Sequence, residues 1–139
     1  IVIPLIFGAD QIMVYVIFGL AAVCGHNWTI FLRFKGGKGV ATSLGVLIGL
    51  MIKIASLRLV VSLCAVIWMG VFVASGYVSL ASIVSVIFLP LLMVLFSQSS
   101  ELVVLGIIFC LLVVLRHRPN IQRLLEGRES RFSFPFRKR

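Results

Sequence analysis

Charge is scarce in this sequence, and acidic charge scarcer still. Only 12% of its 139 residues are charged, with 4 Asp and Glu against 13 Lys and Arg. A soluble domain carries about a quarter charged residues and about half apolar ones, whereas here 61% are hydrophobic and the mean hydropathy is +1.20. A water-soluble chain of this length has too little interior to hide that much apolar surface, so an ordinary soluble domain is excluded and the solvent is lipid. Cysteine is sparse too. Cys24, Cys64 and Cys110 are far apart, odd in number and set in apolar runs. That spacing excludes a disulfide framework and a thiolate metal site, and leaves three small buried hydrophobes. No basic stretch precedes the apolar run Ile1–Phe7, which argues against a signal peptide. A chain that opens inside such a run, without Met, is read as the C-terminal part of a longer protein.

What the sequence has in quantity is apolar segments. About 20 residues of helix cross a hydrocarbon core of about 30 Å. Five candidates appear, at Gln11–Cys24, Gly39–Ile52, Leu57–Ser75, Tyr77–Phe96 and Glu101–Leu115. The expected fold is therefore all-α, a polytopic transmembrane helical protein. Its transmembrane domain covers 1–115, and a basic cytoplasmic interfacial tail covers 116–139 and carries part of the active site. From Arg116 to Arg139 there are eight basic residues and two acidic ones. After a span, such a run marks the cytoplasmic side and contact with anionic headgroups, and no nucleic-acid reading module accompanies it. Counting back from that tail puts the Ser97–Ser100 and Lys53–Arg58 turns outside, the second against its own basic charge. The Gly25–Lys38 loop, the Tyr77–Ser82 helix start and Arg116–Glu129 then share the inner face. Gly45 and Gly49 form a weak helix-packing pattern, and Pro90 is read as a kink in the fourth span. Pro119 is expected to end the fifth span, with Asn120 capping a short interfacial helix Ile121–Glu126 that stops at Gly127.

Three clusters on that face carry chemistry. Lys35-Gly36-Gly37-Lys38-Gly39 directly precedes an apolar helix. Backbone N–H groups, a helix N-terminus and a lysine ammonium together favour a phosphate. It is not a Walker A loop, because Gly39 stands where Ser or Thr is required after the lysine and Arg33 where a glycine is required before it. The segment Arg116–Glu129 packs arginines, His117, Asn120 and carboxylates at an interface. It fits either a basic anchor or a site with a histidine able to act as base near neutral pH. Ser79 and Ser82 at a helix start are ordinarily caps.

Taken together, these blocks resemble one family. Gly25-His26-Asn27-Trp28 through Lys35-Gly36-Gly37-Lys38-Gly39-Val40-Ala41-Thr42, then Tyr77-Val78-Ser79-Leu80-Ala81-Ser82, then His117-Arg118-x-Asn120-Ile121-x-Arg123-Leu124-Leu125-x-Gly127-x-Glu129 are similar, in order, to motifs of the bacterial acyl-phosphate:glycerol-3-phosphate acyltransferases, the PlsY family. The family's N-terminal Ser-Gly-Asn…Thr-Asn block has no counterpart in these residues. Gly76 stands where the family often has Arg, and Asn27-Trp28 replaces an apolar–Pro pair.

The resemblance implies transfer of a fatty acyl group from an acyl phosphate to the 1-hydroxyl of glycerol 3-phosphate, giving lysophosphatidate at the cytoplasmic face of the bacterial inner membrane. It implies no metal, no cofactor and no acyl-CoA donor. The partners it implies are the two substrates and membrane lipids. The expected catalytic residues are His117, Asn120 and Ser79. The expected phosphate ligands are Lys35, Gly36, Gly37, Lys38, Gly39, Arg123 and Glu129. Direct attack by the glycerol hydroxyl is the simpler mechanism, since a serine nucleophile needs a base beside it. The competing expectation is a non-catalytic membrane protein that keeps the fold.

Overall fold

The computed structural model describes residues 12–28 and 36–132, and these form six helices and no strand. In chain order they are α1 (Ile12–Asn27), α2 (Val40–Lys53), α3 (Leu57–Ser75), α4 (Val78–Leu95), α5 (Ser100–Arg116) and α6 (Arg118–Leu125). The all-α expectation holds. Each of the five apolar segments contains one helix, but only α3 and α4 are long and apolar enough to cross a membrane singly. At 1.5 Å per residue they reach about 27 Å or more. The α5–α6 pair, bent by 58°, passes the same test only if counted as one broken span. The shorter helices α1 and α2 have 16 and 14 residues.

Helices in lipid are apolar all round, so burial separates an inner stripe from a lipid-facing one. The inner stripe holds Tyr15, Val23, Leu47, Leu50, Leu57, Val60, Leu89, Met93, Leu102, Leu105 and Phe109, one continuous cluster drawn from α1 to α5. Leu59, Val66, Val73, Leu91, Val94, Val104 and Leu111 point outward and are exposed in the isolated chain. Two polar cross-links join α3 to α4 inside the apolar zone. Trp68 Nε1 donates to Ser82 Oγ at 3.1 Å, and Ser85 Oγ donates to the Cys64 carbonyl at 2.8 Å. Each spares a polar group from facing hydrocarbon alone.

The turns sort onto two ends. Ser56 Oγ donates to Gln98 Oε1 at 3.0 Å, tying the α2–α3 turn to the α4–α5 turn. At the other end Phe132 N donates to the Gly76 carbonyl at 2.8 Å, and Arg116 reaches Gly36 and Gly37. The pairing of loops expected from the charge count is therefore the pairing found. The basic α2–α3 turn also has a local reason for its charges. Lys53 sits in the last turn of α2 and Arg58 Nε donates to the Met51 carbonyl at 3.1 Å, both favourable at a helix C-terminus.

Four local expectations need correction. Pro119 does not end α5. The break falls at His117, whose N–H still reaches the Val113 and Val114 carbonyls, and Pro119 lies in the first turn of α6, where its missing N–H costs nothing. Asn120 is consequently inside α6 and caps nothing. Ser79 lies in the first turn of α4 but makes no cap bond. Gly45 faces open space rather than another helix. α4 stays helical through Pro90. Gly127 does stop α6. With φ at +68° it supports bonds from its own N–H to the Leu124 carbonyl at 3.2 Å and from Arg128 N–H to the Arg123 carbonyl at 2.8 Å, a Schellman ending. That reversal brings Glu129 back beneath the helix it has just left.

Candidate active site

At the end of the bundle that carries the basic loops, α2, α3, α4, the end of α1, the α5–α6 break and the segment after α6 line an open cavity of about 1000 Å³. Its two halves differ in chemistry. One is lined by His26, Lys38, Gly39, Ser43, Ser79, His117, Asn120, Arg123 and Glu129, the other by Leu44, Leu47, Val61, Ala65, Val86 and Leu89. The sequence blocks that lie far apart in the chain thus meet in one chamber: the glycine–lysine loop, the α4 start and the C-terminal block.

The polar half is built around the α5–α6 break. His117 is 2% exposed, and its Nδ1 lies 2.8 Å from the Val113 carbonyl. A carbonyl only accepts, so Nδ1 carries the proton and Nε2 is left with a lone pair. Burial lowers the His117 pKa below its ordinary value. The bond to Val113 works against that, Lys38 adds to the lowering and Glu129 opposes it. The ring is therefore neutral at neutral pH.

Three residues on, Asn120 is 3% exposed and donates Nδ2 to Glu129 Oε1 at 2.6 Å. Arg123 Nε donates to the other carboxylate oxygen at 2.7 Å. The spacing of three puts His117, Asn120 and Arg123 on successive turns of one face. Burial would raise the Glu129 pKa. The bonds from Asn120 and Arg123, a weaker contribution from the Ser79 hydroxyl and the Arg123 charge hold it instead at about 2. Glu129 is thus a permanent anion whose visible work is to hold Asn120 and Arg123. Glu129 lines the chamber with both carboxylate oxygens engaged, one by Asn120 and the other by Arg123.

Ser79 lies on the same wall, 5% exposed, with a hydroxyl that makes no hydrogen bond of normal geometry. No histidine partners it, and activation as a nucleophile has no support in the geometry.

The glycine–lysine loop closes the chamber from the α2 side. Gly39 starts α2 with φ at +79°, and a Cβ there would crowd the Asn27 amide at 2.7 Å. Both reasons select glycine. Gly36 and Gly37 present their carbonyls to Arg116, and the Gly37 N–H goes to the His26 carbonyl; among the described residues of this loop, Lys38 and Gly39 line the chamber. Lys35 lies outside the described residues, as do the Ile1–Phe7 run and Arg137–Arg139. Among the described residues no group of three or more His, Cys, Asp or Glu could hold a metal ion.

Some participants carried no readable signal. Arg116 resembles any other tail cation in the sequence. Asn27 is fully buried with both amide atoms unpartnered; in the sequence it reads only as a departure from the family's apolar–Pro pair. Arg131 donates Nε to the Ser75 carbonyl at 2.9 Å and lies 5.6 Å from the Tyr77 ring centroid, so the chain after Glu129 crosses the α3–α4 turn and walls the chamber.

Comparison with known proteins bears on what this chamber does. The family described as glycerol-3-phosphate acyltransferase matches residues 1–127. A glycerol-3-phosphate acyltransferase of Desulforudis audaxviator is 46% identical over 116 residues, covering 84% of this chain and 56% of the relative. One from Geotalea daltonii is 46% identical over 114 residues, covering 82% and 56%, and one from Aquifex aeolicus is 41% identical over 126, covering 91% and 62%. This chain thus spans little more than half the length of such relatives. Among solved structures, the integral membrane glycerol 3-phosphate acyltransferase PlsY in its glycerol 3-phosphate form superposes with a TM-score of 0.82 at 37% identity, over 94% of this chain and 62% of that one. Its lysophosphatidic acid form gives 0.80 at 38% identity, over 94% and 64%.

Proposed function

Because the chain belongs to the glycerol-3-phosphate acyltransferase family, we propose that its chamber transfers a fatty acyl group from an acyl phosphate to the 1-hydroxyl of glycerol 3-phosphate, releasing lysophosphatidate and inorganic phosphate. The observation that carries this is the chamber itself: one volume with a cationic, hydrogen-bonding half continuous with an aliphatic half. Both substrates bear phosphate, and the donor also bears a chain that belongs in lipid. A volume near 1000 Å³ is at the upper end for small-ligand sites, enough for a headgroup and part of an acyl chain together.

In the mechanism this geometry favours, Lys38 and the outer face of the Arg123 guanidinium bind phosphate oxygens, with Arg123 fixed by Glu129. The glycerol hydroxyl attacks the acyl carbonyl carbon and the carbonyl electron pair moves onto oxygen. Collapse of that intermediate re-forms the carbonyl and breaks the bond to the phosphate oxygen. The hydroxyl proton passes to His117 Nε2, and from there to the departing phosphate or to water. Lys38 and Arg123 also offset the negative charge that develops during attack. Ser79 orients the substrates, and Asn120 acts through Glu129, which fixes Arg123.

Two outcomes are expected. First, the neutral His117 required here has a folded pKa below its ordinary value, so neutrality persists as pH falls past about 6.5. The acidic limb of kcat/KM against pH, which reports groups of the free protein, is expected below about 6.5, and the stability contributed by neutral His117 is lost across the same window as pH falls. A limb at or above about 6.5 that vanishes in His117→Gln would overturn the neutral-base role.

Second, the basic loops favour a cytoplasmic position for the chamber in a bacterial inner membrane. Single cysteines at the exposed positions Lys38, Val78 and Arg118 should react with an impermeant maleimide from the same side of sealed vesicles, and one at Ser56 from the other. Labelling of Val78 and Lys38 from opposite sides would rule out a shared site.

A further inference from the structure

Arg116 ends α5 and is not among the residues lining the chamber. Its guanidinium spans 80 residues of sequence to donate Nη2 to the Gly36 carbonyl at 2.7 Å, and Nε to the Gly37 carbonyl at 3.1 Å. The same group lies 6.0 Å from the Trp28 ring centroid. A guanidinium fork suits two parallel acceptors, and here the acceptors are successive neutral peptide oxygens rather than a carboxylate. A trans peptide is planar, with its carbonyl oxygen and the next N–H pointing opposite ways. Holding both carbonyls on Arg116 therefore turns the Gly37 and Lys38 N–H groups away from it. The Gly37 N–H goes to the His26 carbonyl at 3.3 Å. Lys38 belongs to the chamber wall. The loop has no slack on the α1 side, since a Cβ at Gly36 would overlap the His26 and Asn27 backbone and one at Gly37 the His26 ring.

We propose that Arg116 is a positioning residue for the anion-binding half of the chamber. By chelating the Gly36 and Gly37 carbonyls it fixes the direction of the Lys38 amide and the backbone from which the Lys38 side chain leaves, and it couples that loop to the helix break carrying His117. It does so without touching substrate. This rests on the chamber being a phosphate-binding acyl-transfer site.

The test uses the protein as its gene encodes it, reconstituted in lipid nanodiscs, with Arg116→Lys and Arg116→Ala. Three quantities are measured: KM and kcat for glycerol 3-phosphate with an acyl phosphate donor, equilibrium binding of inorganic phosphate, and thermal unfolding. KM and the phosphate dissociation constant are expected to rise about tenfold or more in both variants, the scale of one charge-assisted hydrogen bond. kcat should stay within about threefold. Lysine keeps the charge but not the fork, so Arg116→Lys should be no better than Arg116→Ala, and added methylguanidinium should recover part of the affinity in Arg116→Ala. If Arg116 only braces the bundle, unfolding temperature and kcat fall while KM and phosphate affinity stay at wild-type values, and that result overturns the proposal. Wild-type behaviour of Arg116→Lys overturns it too. Should the wild-type protein transfer no acyl group, the functional reading fails separately. The phosphate arm then still decides, with weakened binding in Arg116→Lys upholding the latch and equal or absent binding in both proteins refuting it.

Discussion

His117→Gln and Asn120→Ala, made in the protein as its gene encodes it, are each expected to abolish most acyl transfer while leaving membrane insertion intact. His117 sits at the α5–α6 break, with Nδ1 committed to the Val113 carbonyl and Nε2 left to accept a proton. Glutamine can imitate the hydrogen bond but not the proton acceptor, and a general base contributes about 10²- to 10⁴-fold. Asn120 acts at one remove. Its amide holds one oxygen of Glu129 while Arg123 holds the other. Truncating it leaves a buried carboxylate oxygen unpaired and loosens the guanidinium, at a cost of about 10- to 100-fold. The control is to neutralise Arg137, Lys138 and Arg139 together. That change should mainly weaken lipid binding, at about 1 kcal/mol per charge near an anionic surface. Transfer is measured in membranes with matched protein levels. If the tail variant falls as far as the other two, the C-terminal block is an anchor and not part of the site.

Lys38→Ala is expected to cost a comparable fraction. Lys38 supplies the cation on the α2 wall of the chamber, which Arg123 lines as well. Removing one charge-assisted hydrogen bond costs roughly 1.5–3 kcal/mol, or about 10- to 100-fold in rate or affinity. Lys38→Arg should recover little, because a planar guanidinium fork does not place its donors where the compact, freely rotating ammonium places its own. Steady-state kinetics at varied glycerol 3-phosphate concentration provide the measurement. Unchanged kcat/KM in a properly inserted Lys38→Ala protein would remove Lys38 from the site.

Much of this arrangement is legible in the order of residues. Hydropathy alone locates five helices, because a lipid solvent demands long apolar runs whatever the tertiary packing. Charge alternation puts Lys38, Ser79 and His117 at one end, and the chamber joins all three. The departures have local causes. Pro119 followed by Asn120 fits both the end of one helix and the first turn of the next. Only the carbonyls reached by His117 N–H decide between them. Glu129 reads as one more polar residue near phosphate, but its role depends on the reversal at Gly127 that folds it back onto Asn120 and Arg123. Arg116 cannot be told from its neighbours Arg118 and Arg123, since the composition of a basic tail says nothing of which cation turns inward. Gly36 and Gly37 are read in the sequence for their N–H groups. In the structure their carbonyls bind Arg116 and the Gly37 N–H binds the His26 carbonyl, peptide orientations that a glycine-rich sequence leaves open.

The most direct test of acyl transfer in this chamber is a stoichiometric assay. The reconstituted protein is incubated with labelled glycerol 3-phosphate and a long-chain acyl phosphate, and lysophosphatidate and inorganic phosphate are followed together. The expected result is equal molar formation of both, dependent on acyl phosphate, abolished in His117→Gln and not supported when acyl-CoA replaces the donor. Phosphate release without lysophosphatidate, or lysophosphatidate formation undiminished in His117→Gln, would contradict acyl transfer at the α5–α6 break.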